Sequence, residues 1–112
     1  MTARIDALQA LVGSPRDGAL LRFALGSALL EAGRHAEAVS ALRAAVTFDP
    51  GYSAAWKLLG KAHQGAGEPV QAAEAWREGI AAASARGDTQ AQKEMQVFLR
   101  RLARDAAGNQ SS

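Results

Sequence analysis

The chain carries a 34-residue period, and that period limits its possible folds more than any other feature. Leu25-Gly26 returns 34 positions later as Leu59-Gly60, Ala32-Gly33 as Ala66-Gly67, Ala38 as Ala72 and Ala41 as Ala75. Leu42 returns as a larger apolar residue, Trp76. A period of this length over so many positions points to a repeated helix–turn–helix unit. Alanine and leucine dominate while β-branched and aromatic residues are few, which favours helix over strand. At 112 residues the chain is one small domain with a modest core, and 48% hydrophobic with 21% charged residues suits a globular chain.

Helix boundaries follow from local chemistry. Ile5, Leu8, Leu11 and Val12 give a short one-sided helix over 3–12, closed by the turn composition of residues 13–18. A second helix over 19–32 ends at Gly33, which can take the left-handed conformation past a helix terminus. Its partner covers 35–48 and stops at Asp49-Pro50-Gly51, where proline breaks the ladder. The pattern recurs as a helix over 53–66, ended by Gly67, and one from Pro69 to about Arg86. Asp88 is a good N-cap for a last helix over 88–105, whose apolar stripe is Ala91, Met95, Phe98, Leu99 and Leu102. Residues 106–112 are small and polar and are expected to form a flexible tail.

With these residues in place the chain resembles the tetratricopeptide repeat. That pattern has a Trp, Leu-Gly and Tyr on the first helix, Ala and an aromatic on the second, and a terminal Pro. The second unit reads Trp56, Leu59-Gly60, His63, Ala72 and Trp76, with Ser84 at the proline position. The first reads Arg22, Leu25-Gly26, Leu29, Ala38, Leu42 and Pro50. Gly26, Gly60, Ala38 and Ala72 let paired helices approach, and Leu25, Leu59, Leu42 and Trp76 fill the seam. The resemblance implies an all-α, right-handed α-solenoid of antiparallel helix pairs, of about six helices. One domain spans 1–105, with a leading helix over 3–12, repeats at 19–52 and 53–86, and a polar-faced capping helix over 88–105. Small, nearly stand-alone proteins of this kind occur in bacteria.

No catalytic constellation is present. The chain has no cysteine, and its two histidines, His35 and His63, lie in different units without a carboxylate at metal-ligand spacing on their own helices. His63 holds a seam position and reads as a packing residue with a satisfied hydrogen bond, and His35 reads as solvated. Gly65-Ala66-Gly67 lacks the third glycine and the preceding strand of a dinucleotide fingerprint. No cofactor, metal or enzymatic activity is therefore expected. The N-terminus lacks the apolar core of a secretory signal, and no uncharged run approaches the roughly 20 residues of a membrane span. A cytoplasmic, membrane-free setting is the expectation.

The resemblance also implies a site. In tetratricopeptide arrays the first helix of each unit lines a concave groove. Carried across, the positions are Leu20, Phe23, Ser27, Leu30 and Glu31, then Ala54, Lys57, Lys61 and Gln64. The peptide-groove candidates are Phe23, Ser27, Leu30, Lys57, Lys61 and Gln64. Lys57 and Lys61 are four apart and share a helical face, as do Phe23 and Leu30, seven apart. One reading has the two ammonium groups holding a peptide carboxylate, with Phe23 and Leu30 taking an apolar side chain. The competing reading has the lysines on a solvated face and Phe23 and Leu30 covered by Ile5 and Leu8. The lysine clamp that some tetratricopeptide domains use for chaperone C-termini is incomplete here. Ser27 stands where that clamp has asparagine, and Ala91 and Met95 where it is polar.

The expected function is a non-catalytic protein–protein interaction module that binds a peptide or protein segment in the groove. One alternative is a self-associating adaptor, monomer or weak homodimer, pairing through Met95, Phe98 and Leu102 or the leading helix. Another is a nucleic-acid accessory protein using Lys93, Arg100, Arg101 and Arg104. The net charge of only +2 and the absence of interleaved exposed aromatics argue against nucleic acid.

Overall fold

The computed structural model describes residues 2–110. Among them are six helices and no strand: α1 (Thr2–Gln9), α2 (Ala19–Glu31), α3 (His35–Phe48), α4 (Ser53–Gly65), α5 (Pro69–Arg86) and α6 (Thr89–Gln110). α2 packs on α3 and α4 on α5 as antiparallel pairs. α3 joins the first pair to α4, and α5 joins the second pair to α6 in the same way. α2, α4 and α6 also touch in sequence, so they form one wall of a helical-repeat solenoid measuring 49 × 32 × 18 Å.

The repeated residues occupy the seams. Leu25, Leu42, Leu59 and Trp76 are all buried, with Leu42 and Leu59 wholly inaccessible. A Cβ placed on Gly26 would run into the Leu42 side chain, and one on Gly60 into the Trp76 indole. The two glycines therefore set the distance between paired helices. The first core joins Ile5, Leu25, Leu29, Leu42, Val46 and Leu59, and the second joins Trp76, Ala83, Ala91 and Met95. Ile5 is the one residue through which α1 enters the core, with Leu8 and Val12 half-buried beside it.

Helix ends are set by the turns. Gly33 and Gly67 adopt φ of 73° and 78°. At the first, the Arg34 N–H reaches back to the Leu29 carbonyl and the Gly33 N–H to Leu30. At the second, Glu68 reaches His63 and Gly67 reaches Gln64, so each end closes in the Schellman pattern. α5 does not stop at Ser84, because no proline stands there, and it runs 18 residues against 14 for α3.

Two boundaries differ by more than one residue from the sequence expectation. α1 ends at Gln9 rather than residue 12, because the Leu11 and Val12 N–H groups bond to Leu8 and Gln9 in tightened single turns. The Ser14 hydroxyl donates to the Leu11 carbonyl, and the Gly13 N–H donates to Asp17 Oδ2. At the other end, α6 continues through the expected tail as far as Gln110. Ala106 and Ala107 are strong helix formers, and no proline or capping motif stops them. Residues 111 and 112 lie outside the described residues.

Candidate functional site

Three helices, α2, α4 and α6, face one concave side. Their side chains decide what that side offers. Leu30 ends the inner face of α2, while Lys61 and Gln64 stand on the last turns of α4. With Phe98 and Arg101 of α6 and His35 at the start of α3, they line an open cavity of about 550 Å³. Glu31 and Asp105 bring carboxylates to the same rim, and Trp76 forms part of the floor.

Lys61 and Arg101 have no ion-pair partner among the described residues. The Lys61 ammonium lies 4.9 Å from the centroid of the Phe98 ring, close enough for cation–π attraction. Phe98 is held in turn by Trp76, ring centroids 5.3 Å apart. The cavity therefore combines apolar surface (Leu30, Phe98) with two cations and two anions. His35 is half-buried rather than fully solvated as its position suggests. Its ring lies against Gly65, and Nδ1 is buried without a hydrogen-bond partner.

The structure brings Leu30, Lys61 and Gln64 together and places the other three candidates elsewhere. Lys57 is half-buried, and its ammonium donates to Glu94 Oε1 of α6 at 3.3 Å. The two lysines share a helical face, but α6 divides them, taking Lys57 into an ion pair. Phe23 stacks on Tyr52 with centroids 4.9 Å apart and is half-buried against the first core. Ser27 is half-buried on α2 and lines no part of the cavity. Phe98, Arg101 and Asp105 were missed as groove residues. Their spacing of three and four on one face of α6 was the available signal. The sequence marks α6 as a cap, and no repeated residue marks it as a third wall beside α2 and α4.

Other polar side chains serve the scaffold. His63 is buried, with Nδ1 3.0 Å from Glu68 Oε1 and Nε2 3.1 Å from Arg43 Nη2. Arginine can only donate, so Nε2 accepts and Nδ1 carries the hydrogen that Glu68 receives. Arg22, at the position where the repeat pattern has Trp, forms a bidentate pair with Asp17 at 2.8 and 2.9 Å. The Arg22 hydrogen bonds, followed by the Gly13 N–H, hold the Asp17 carboxyl well below the usual carboxylate range. Asp88 caps α6 through the Ala91 N–H and accepts from the Ser53 hydroxyl at 2.8 Å. Those two bonds, the hydroxyl first, lower its pKa.

Met95 is fully buried within its own chain and presents no surface for pairing two chains, whereas Phe98 and Leu102 are only half-buried. Among the described residues no group of three or more His, Cys, Asp or Glu is placed to hold a metal, and no helix is long and apolar enough to cross a membrane.

Comparison with known proteins agrees with this architecture. The tetratricopeptide repeat model matches residues 19–62. A TPR repeat-containing protein of Pseudomonas aeruginosa is 50% identical over 100 residues, covering 89% of this chain and 95% of that protein. The solution structure of a Bordetella parapertussis protein superposes with a TM-score of 0.81 at 50% identity, over 96% of this chain and 93% of that one. The crystal structure of MamA shares the fold at a TM-score of 0.66 and 20% identity, over 96% of this chain and 70% of that one. A 34-residue period, glycine-set seams and a relative 50% identical over 89% of this chain together place this chain in the tetratricopeptide repeat family.

Proposed function

We propose that this chain is a non-catalytic docking module of the cytoplasm that holds an extended segment of a partner protein in the cavity between α2, α4 and α6. Tetratricopeptide folds mediate protein–protein interaction, and the observation that carries the reading here is the composition of the cavity. Leu30 and Phe98 supply apolar surface, while Lys61 and Arg101 stand beside them without an ion-pair partner among the described residues. A carboxylate of the segment sits between Lys61 and Arg101, and a neighbouring apolar side chain lies on Leu30 and Phe98. Burial of the apolar side chain supplies most of the affinity, and the charges set orientation and on-rate. Lys57 takes no part in contacting the segment; it fastens α6 through Glu94.

The test is selection of peptides from a displayed random library on the wild type, then titration of the winners against the Lys61→Glu, Arg101→Glu variant. Winners should carry a carboxylate next to an apolar residue and bind the variant at least about tenfold more weakly. Winners that bind both proteins equally would sink this reading.

A further inference from the structure

A second surface lies at the end of the solenoid, away from the concave side. The first half of α5 and the last turns of α6 leave a groove of about 550 Å³ between them. Its floor is apolar: Val70 and Ala73 on α5, with Leu99, Leu102 and Ala106 on α6. Val70 is 67% exposed, one of three large hydrophobic residues left in water among the described residues. With the half-buried Leu99 and Leu102 it makes a continuous apolar strip on the surface.

The rim of the groove says what covers it. Arg77 of α5 and Arg100 of α6 line it, and no carboxylate does among the described residues. Neither guanidinium has an ion-pair partner among the described residues. Arg104, also exposed, follows Arg100 by one helical turn. The acidic residues of the same part of α5, Glu74 and Glu78, line a separate cavity with Arg43 and Trp56, so they do not neutralise this rim. A second copy of the chain is a poor occupant, because pairing two such grooves brings four guanidinium groups together with no carboxylate between them. Nucleic acid would satisfy the arginines but leave the apolar floor uncovered. The stretch of α6 from Leu99 to Ala106 spans about 10 Å at 1.5 Å per residue, which suits about two turns of a docked helix.

We propose that this end groove binds an amphipathic helix of another protein, with an apolar stripe on Val70, Leu99 and Leu102 and flanking carboxylates on Arg77 and Arg100. The surface is independent of the concave cavity, and either can fail without the other.

The probe is a fluorescein-labelled helical peptide of about 18 residues, long enough to hold a helix. It has leucines at every third or fourth position and glutamates on both flanks, and a twin carries lysines instead. In anisotropy titrations the glutamate peptide should bind the wild type, more weakly as salt rises, and the lysine peptide should not. The Arg77→Glu, Arg100→Glu variant should lose about tenfold toward the glutamate peptide and gain affinity for the lysine one. Val70→Glu should weaken the glutamate peptide by at least about tenfold, since the residue is exposed and its loss spares the fold. Amide shifts in the complex should cluster at Val70, Ala73, Leu102 and Ala106. The proposal is overturned by any of four results. These are no binding of the glutamate peptide, affinity indifferent to charge reversal, shifts confined to Leu30, Lys61 and Gln64, or sedimentation showing a dimer that Val70→Glu dissolves. Binding of a short DNA duplex that abolishes peptide binding would equally reassign the groove.

Discussion

Replacing Gly60 by alanine tests whether the repeated glycine sets the distance between paired helices. In an isolated helix the change would help, because alanine is favoured over glycine by about 1 kcal/mol in a helix interior. Here the new methyl would meet the Trp76 indole at Nε1, Cδ1 and Cε2. That ring is 1% exposed and cannot swing into solvent. Its Nε1 donates to the Lys57 carbonyl at 3.1 Å, so moving the ring also strains a partly buried hydrogen bond. Overpacking of this kind costs about 1–3 kcal/mol, and a weakened buried bond about 1 kcal/mol more. Against the helix gain, the net loss is about 2 kcal/mol, or a Tm about 8 °C lower for a domain of this size. Gly26→Ala should cost somewhat less, because its methyl meets Cγ and Cδ2 of Leu42, which is equally buried but has no hydrogen bond to lose. Gly108→Ala, where a Cβ meets nothing within 4 Å, should leave Tm unchanged or raise it. Thermal and urea unfolding followed by circular dichroism at 222 nm reads all three. If Gly60→Ala melts at or above the wild type, or the three variants melt alike, close approach is not why the glycine is there.

The ion pair that fastens α6 predicts a charge-swap result. Lys57→Glu should cost about 1 kcal/mol by repelling Glu94, and adding Glu94→Lys should restore most of it, read by thermal unfolding. Acid should destabilise the fold in a defined window. Asp17, Glu37 and Asp88 all have folded-state pKa values below their unfolded ones. The stability they add is complete above about pH 4–5 and is lost as pH falls through the folded values, so Tm should hold from neutral down to there and then drop. Asp17→Asn should lower Tm at neutral pH and make the acid drop shallower; an unchanged slope would show that the Arg22–Asp17 pair is not linked to folding. Ending the chain after Asp88 should expose Trp76 and the Ala72–Ala83 face that Met95 now covers, and intrinsic fluorescence should report a red-shifted, less cooperative unfolding transition.

The period made the seams legible in the sequence, because a repeated packing problem receives the same answer at the same spacing. Leu25-Gly26 against Leu42 and Leu59-Gly60 against Trp76 are one contact made twice. The groove was only half legible, and the reason lies in how the period fails. α4 begins 34 residues after α2, but α6 begins 36 after α4, because α5 lacks a proline at Ser84 and runs on to Gly87. Stepping 34 from Gly60 lands on Glu94, a charged residue, so the third wall of the groove does not announce itself as a repeat. Its side chains nonetheless decide what the other two walls can do. Glu94 takes Lys57 out of the groove, and Phe98 gives Lys61 an aromatic face, each across 37 residues of sequence. These two side-chain contacts between different units are each made once, so they leave no periodic trace. The same holds at the far edge of α6. Arg77 and Arg100 look like ordinary surface charges until the packing of α5 on α6 sets them on either side of one apolar floor. In a short solenoid, the packing residues can be read from their repetition. The residues proposed to face a partner lie where the repetition stops.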